Sequence, residues 1–225
     1  MAHASSHAGH HGRDRLIRWA RLYDLGIGLL GRRGKRLRAM LADDLQLQPG
    51  DRVLDVGCGP GRLAILFAER VAPTGSVDGI DAAAEMINRA RSQTRRRGVP
   101  ATFQVAFAQD LPFADEIFDA VACILALHHV AQDDQPTAVG EMYRVLKPSG
   151  RLLIAEFHKG PGARHVGPRW LRRSGEDMLD KALQFVNASG FTDATSQGTN
   201  LRWLGKITAR KPGISGTPAD TRWSG

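Results

Sequence analysis

Cysteine is nearly absent from this 225-residue chain, which has two, Cys58 and Cys123. Both fall in predicted core strand or turn positions. They build neither a disulfide framework nor a thiolate metal cluster, and they suit a reducing compartment, here the cytoplasm. Long apolar runs are missing as well. The longest uninterrupted one, Ala120 to Leu127, is far short of the roughly 20 residues of a membrane-spanning helix. The N-terminus carries no apolar segment of signal-peptide type. Aromatic residues are only 6% of the chain, which argues against a basic groove interleaved with stacking rings and so against nucleic acid as a partner. No His/Asp cluster has metal-ligand spacing, so no metal is expected.

What is present is ordinary for one globular domain: 42% hydrophobic and 24% charged residues, enough to bury a core at this length. The net charge of +8 is unevenly spread. Residues 1–48 hold 9 Lys/Arg against 4 Asp/Glu, residues 49–156 hold 11 against 14, and residues 157–225 hold 11 against 5. A slightly acidic middle is thus flanked by two basic ends. Such ends attract nucleic acid, anionic lipid or an acidic substrate, or they simply keep the surface soluble.

Residues 1–12 are rich in His, Ala, Ser and Gly and read as a disordered leader. Residues 13–48 read as two helices forming a lid. In the first, Leu16, Trp19, Tyr23, Ile27 and Leu30 recur at steps of 3 and 4, the period of an amphipathic helix. Its arginines (Arg15, Arg18, Arg21) also suit peripheral contact with a membrane surface. The second is predicted at 35–45. From residue 49 to 210 strands and helices alternate: strands at 52–56, 76–80, 102–107, 118–124 and 150–156, helices at 61–71, 83–97, 134–146 and 176–188. Two last strands at 191–196 and 201–209 read as a hairpin. This rhythm predicts an α/β fold of Rossmann-like type, a mostly parallel seven-stranded sheet with an antiparallel C-terminal hairpin. Residues 157–175 are a Gly/Pro/Arg-rich connection, and 211–225 a disordered tail.

The chemistry begins at Asp55-Val56-Gly57-Cys58-Gly59-Pro60-Gly61. Glycines there let the backbone approach a ligand closely, and the helix behind them offers free N–H groups. A dinucleotide turn spaces its glycines G-x-G-x-x-G; this one does not. A carboxylate pointing into the cradle would repel a pyrophosphate but suit an ammonium or sulfonium group. Asp81, closing the second strand, can accept hydrogen bonds from both hydroxyls of a ribose; the alternative role is capping the helix that begins near Ala83.

D-x-G-x-G-x-G resembles the signature of the class I S-adenosylmethionine (SAM) methyltransferases. The later blocks Phe107-Ala108-Gln109-Asp110-Leu111-Pro112-Phe113, Leu125-Ala126-Leu127-His128-His129-Val130 and Arg144-Val145-Leu146-Lys147-Pro148-Ser149-Gly150 resemble, in that order, the ubiquinone/menaquinone-biosynthesis-type branch (methyltransferase type 11). The resemblance implies a SAM-dependent methyltransferase acting on a small-molecule or lipid-like acceptor and releasing S-adenosylhomocysteine. It implies that Asp55, Gly57 and Gly59, with Cys58 and Gly61 in the same turn, hold the methionine part of SAM. Asp81 and Ala82 would hold the ribose, Met86 would pack on the adenine, and the Ala108 N–H would reach an adenine nitrogen. Ala126 and His128 would lie near the reacting methyl. The family's usual acid before that alanine is Phe107 here, leaving Gln109 or Asp110 to replace it, or Phe107 to stack on the ring. His128 is the candidate general base, and Tyr23 with Asp24 resembles a Tyr-Asp pair that closes over such sites. The alternatives are a membrane-associated phospholipid or quinone methyltransferase, an RNA methyltransferase, and a non-catalytic SAM-binding partner subunit.

Overall fold

Strands that are apolar on both faces need cover on both faces. In the computed structural model, which describes residues 31–158 and 177–213, they receive it. Seven strands are described: β1 (Arg52–Val56), β2 (Ser76–Asp81), β3 (Ala101–Val105), β4 (Phe118–Ile124), β5 (Leu146–Phe157), β6 (Thr192–Gly198) and β7 (Leu204–Arg210). Their spatial order is β3-β2-β1-β4-β5-β7-β6. β1 to β5 are parallel, and β7 runs antiparallel to both β5 and β6. This is the Rossmann-like sheet with the expected antiparallel hairpin. Central β4 is buried along almost its whole length. Edge strand β6, Thr-Asp-Ala-Thr-Ser-Gln-Gly, is mostly exposed and correspondingly polar.

The helices are α1 (Gly31–Asp44), α2 (Arg62–Val71), α3 (Ala84–Arg97), α4 (Gln135–Val145) and α5 (Met178–Ala188). Leu37 and Leu41 of α1, Phe67 of α2 and Ile87 of α3 pack with Val53 and Ala120 on one face. Val139 and Met142 of α4 and Leu179 and Val186 of α5 pack with Leu54, Val121 and Ile154 on the other. Each such fully buried large side chain contributes about 1.5–3 kcal/mol.

Several boundaries differ from the sequence reading. β3 stops at Val105 rather than 107, because Phe107 turns back to bridge Asp110. α4 stops at Val145, and β5 begins at Leu146 rather than 150. Leu146 pairs with Phe118, and the register then shifts before Ala120 meets Arg151. Ser149, at φ 64, lies in the irregular stretch. The hairpin connection spans 199–203 instead of 197–200, with Thr199 Oγ1 donating to the Leu204 carbonyl at 2.9 Å.

The expected lid is only partly within view. Residues 13–30, with Tyr23 and Asp24, lie outside the described residues, as do the leader, most of 157–175 and the tail beyond 213. The second lid helix is found as α1, starting four residues earlier than predicted. It buries Leu37 and Leu41 in the core and contributes no residue to the cleft described below. Its apolar stripe goes to the flank of the domain rather than over the ligand edge.

Candidate active site

Parallel sheets open a crevice beyond the carboxyl ends of their strands. A cleft of about 260 Å³ lies there. Gly57 and Gly59 line it from the turn after β1, and Asp81, Ala82 and Met86 from the junction of β2 and α3. Phe107, Ala108 and Gln109 line it after β3, and Ala126 after β4. Residues drawn from four separate stretches of sequence therefore meet. Asp55, Cys58 and Gly61, expected among them, do not line the cleft.

The three glycines of the turn answer to different needs. A Cβ on Gly57 would fall 2.2 Å from the Ala126 Cβ, so its bareness lets the ends of β1 and β4 close together. A Cβ on Gly61 would fall 2.9 Å from the Ala90 Cβ, so it serves the approach of α2 to α3. Gly59, at φ 52, has nothing within 4 Å of that position and leaves its backbone open to the cleft. Cys58 turns inward: its N–H donates to the Ile80 carbonyl at 2.8 Å, and its thiol packs in the core.

Asp55 lies beneath this turn, 2% exposed, and its Oδ2 has no hydrogen-bond partner. Burial, and then the charge of Asp81, raise its pKa to about 7; the Ala64 backbone N–H opposes them. A buried carboxyl without a counter-charge is costly. Its chemistry fits the ammonium end of a ligand. Asp81 stands differently. Its Oδ2 accepts the Gly59 N–H at 3.0 Å and its Oδ1 the Ala83 N–H at 2.8 Å. It braces the glycine turn and the entry to α3 at once, so its capping role is present, and each oxygen keeps a lone pair for a hydroxyl. Burial raises its pKa, and those two N–H groups oppose the rise.

At the far side of β2, Phe107 is 56% exposed and lines the cleft, as does Gln109; Asp110 does not. Of the two polar stand-ins weighed for the missing acid, only Gln109 is placed to act.

The histidine pair is corrected by the structure. His128, the candidate base, does not line the cleft; His129 does. The His128 side chain is 5% exposed. Its Nδ1 lies 2.8 Å from Glu156 Oε2, and its backbone N–H donates to Glu156 Oε1 at 3.3 Å. The chain leaves β4 through a 3₁₀ turn, Leu127–His129, where successive side chains are rotated by about 120°, so that only His129 of the two reaches the cleft. His129 stacks on His128 with ring centroids 4.0 Å apart. Burial, and then His128, push its pKa down to about 4. At neutral pH it is uncharged.

Sequence reasoning missed Glu156, although an acid ending the apolar run Leu152-Leu153-Ile154-Ala155 was a visible signal. It also missed Leu125, held at φ 52 in the cleft wall, and Asp134, which lines the cleft just before α4. Conversely, part of the motif set is scaffold. Glu141 Oε2 accepts the Leu111 N–H at 2.9 Å. Arg144 donates to the Phe113 carbonyl at 2.7 Å and to Glu141. These bonds tie the Leu111-Pro112-Phe113 block to α4, outside the cleft. Among the described residues, no group of three or more His, Cys, Asp or Glu is placed to hold a metal ion, and no helix is long and apolar enough to cross a membrane.

Residues 53–150 match a family described as a methyltransferase domain. A demethylmenaquinone methyltransferase of Symbiobacterium thermophilum is 42% identical over 119 residues, which are 50% of this chain and 45% of that protein. A 2-phytyl-1,4-naphtoquinone methyltransferase of Nostoc is 39% identical over 114 residues, covering 50% and 49%. The chain spans about half the length of the curated relatives it matches. A Haemonchus contortus phosphoethanolamine N-methyltransferase 2, solved in complex with SAM, superposes with a TM-score of 0.73 at 19% identity, over 89% of this chain and 60% of that one. At that identity the likeness is one of fold.

Proposed function

We propose that this protein, whose residues 53–150 belong to the class I SAM methyltransferases of the ubiquinone/menaquinone type, moves the methyl group of SAM to a small-molecule, quinone-like acceptor. The observation that carries the reading is Asp55: a buried carboxyl with one orphaned oxygen beneath an open glycine turn. It would receive the ammonium of SAM's methionine part. Asp81 would hold the ribose hydroxyls, Met86 and Phe107 the adenine faces, and Ala108 and Gln109 the adenine edge. When bound, SAM supplies a sulfonium methyl that is already electrophilic.

The chain's own contribution is then positioning and exclusion of water, which supply much of the rate when the acceptor is a good nucleophile. On the acceptor side, His129 presents a neutral imidazole at the cleft wall, and His128, held by Glu156, positions it. A reduced quinone ring is an electron-rich carbon nucleophile that needs little more than this alignment. The names of the Symbiobacterium and Nostoc relatives support such an acceptor.

The test is calorimetric SAM binding followed by transfer of labelled methyl to a demethylnaphthoquinol. Binding of SAM with 1:1 stoichiometry and label in the naphthoquinol are expected. No SAM binding would end the reading. Binding without transfer to any acceptor would favour a SAM-binding partner subunit instead.

A further inference from the structure

A second cavity, of about 570 Å³, lies on the outside of the domain between α1, α2 and α3. Its floor is apolar: Ala39, Ile65 and Leu66. Among the described residues its rim is mostly cationic: Lys35, Arg36 and Arg38 of α1, Arg62 at the start of α2 and Arg97 at the end of α3, with one carboxylate, Glu69, beside them. Elsewhere several described cations are matched locally. Arg52 pairs with Asp78, Lys147 with Asp119, Arg151 with Asp51 and Lys206 with Asp44. Lys35, Arg36 and Arg97 have no carboxylate partner among the described residues, and all three are exposed. Like charges gathered at one groove repel one another, so the arrangement calls for an anion from outside.

We propose that this groove docks the protein on a membrane surface containing anionic lipid, with head-group phosphates on the cationic rim and the upper acyl methylenes against Ala39, Ile65 and Leu66. The apolar floor separates this occupant from a polynucleotide. A nucleic-acid groove offers rings for bases to stack on, and among the described residues no aromatic side chain lines this one. The site is distinct from the cleft, although Arg62 follows Gly61 of the glycine turn directly. Docking at the groove therefore holds the turn next to the bilayer. The inference stands on the groove alone. Together with the proposed function, it would bring the cleft to a lipid-borne acceptor.

The experiment is co-sedimentation of the full chain with phosphatidylcholine vesicles, with and without phosphatidylglycerol, at low and high salt. Binding should require phosphatidylglycerol and weaken with salt. The triple variant Lys35→Gln/Arg36→Gln/Arg97→Gln should lower the partition coefficient roughly 100-fold, at about one kcal/mol per basic residue near an anionic surface. Arg202→Gln/Arg210→Gln, on the hairpin, should change it little. Parent protein indifferent to phosphatidylglycerol would overturn the proposal, as would a hairpin variant that loses as much as the groove variant. Retention of RNA, but not vesicles, through the same three residues would overturn it in favour of nucleic acid. Calorimetric SAM binding in solution should be unchanged in the triple variant. A loss of vesicle binding is thereby separated from a failure of fold or cofactor site.

Discussion

Two carboxylates lie buried at the carboxyl edge of the same sheet, and they have opposite fates. Asp55, one residue before the end of β1, has an oxygen that nothing satisfies, and its pKa is driven to about 7. Glu156, near the end of β5, is 0% exposed yet accepts from both the ring and the backbone of His128. The first is an expense the fold carries on its own; the second is a closed internal pair. A buried charge left incomplete by its own chain marks where a ligand completes it. A buried charge completed by its neighbours marks scaffold, however catalytic its residue types look.

The comparison breaks most readily at Glu156. Glu156→Ala removes one member of a buried pair and should cost about 3–5 kcal/mol, read as a fall in the unfolding midpoint. SAM affinity, measured on the folded fraction, should stay near that of the parent. A protein of unchanged stability that has lost SAM binding would reverse the roles assigned here. Asp55→Asn should do the opposite. Calorimetry should show SAM binding weakened by roughly 100-fold, the loss of a charge-assisted contact worth about 3 kcal/mol.

Without SAM, that same substitution should stabilise the protein at high pH. The native pKa of Asp55, about 7, lies above its ordinary 3.8. Its contribution to stability is therefore fully present below about pH 4 and lost as pH rises through 7. The gain in Asp55→Asn should accordingly appear between pH 4 and 7 and reach at most about 4 kcal/mol above it, at about 1.4 kcal/mol per pH unit. Chemical denaturation at pH 4 and pH 8 checks the sign.

The same ionisation predicts a smaller effect in the intact protein. SAM binding should tighten with pH up to about 7 and level off, with a limiting slope near tenfold per unit below it. A flat profile would mean that Asp55 does not meet the ammonium. The mildest change is Phe107→Ala. Loss of an adenine-stacking face should weaken SAM about fivefold, near 1 kcal/mol, with no loss of stability because the ring is exposed.

The glycine turn, Asp81 and the later motif blocks were legible because each is local: a backbone need or a charge at a strand end is written within a few adjacent residues. The parallel sheet followed from its apolar strands for the same reason. Less legible were relations across elements. His128 and Glu156 are 28 residues apart and meet only because β4 and β5 are neighbours in register, Ile124 beside Ala155. Arg144 and Phe113 read as parts of one motif set, and only their hydrogen bond reveals a clamp. A helix at 35–45 was legible without any sign of which face of the domain would cover it.

By itself, then, the sequence determined the order of strands and helices, the adenosyl-type turn and the acids that flank it, because side-chain periodicity and glycine conformation are properties of short segments. Tertiary structure alone decided which histidine faces the cleft, which buried acid is already paired, and where the unpaired cations gather. Those outcomes depend on which strand ends and helix faces the packed core brings within hydrogen-bond reach, a distance that no spacing along the chain encodes.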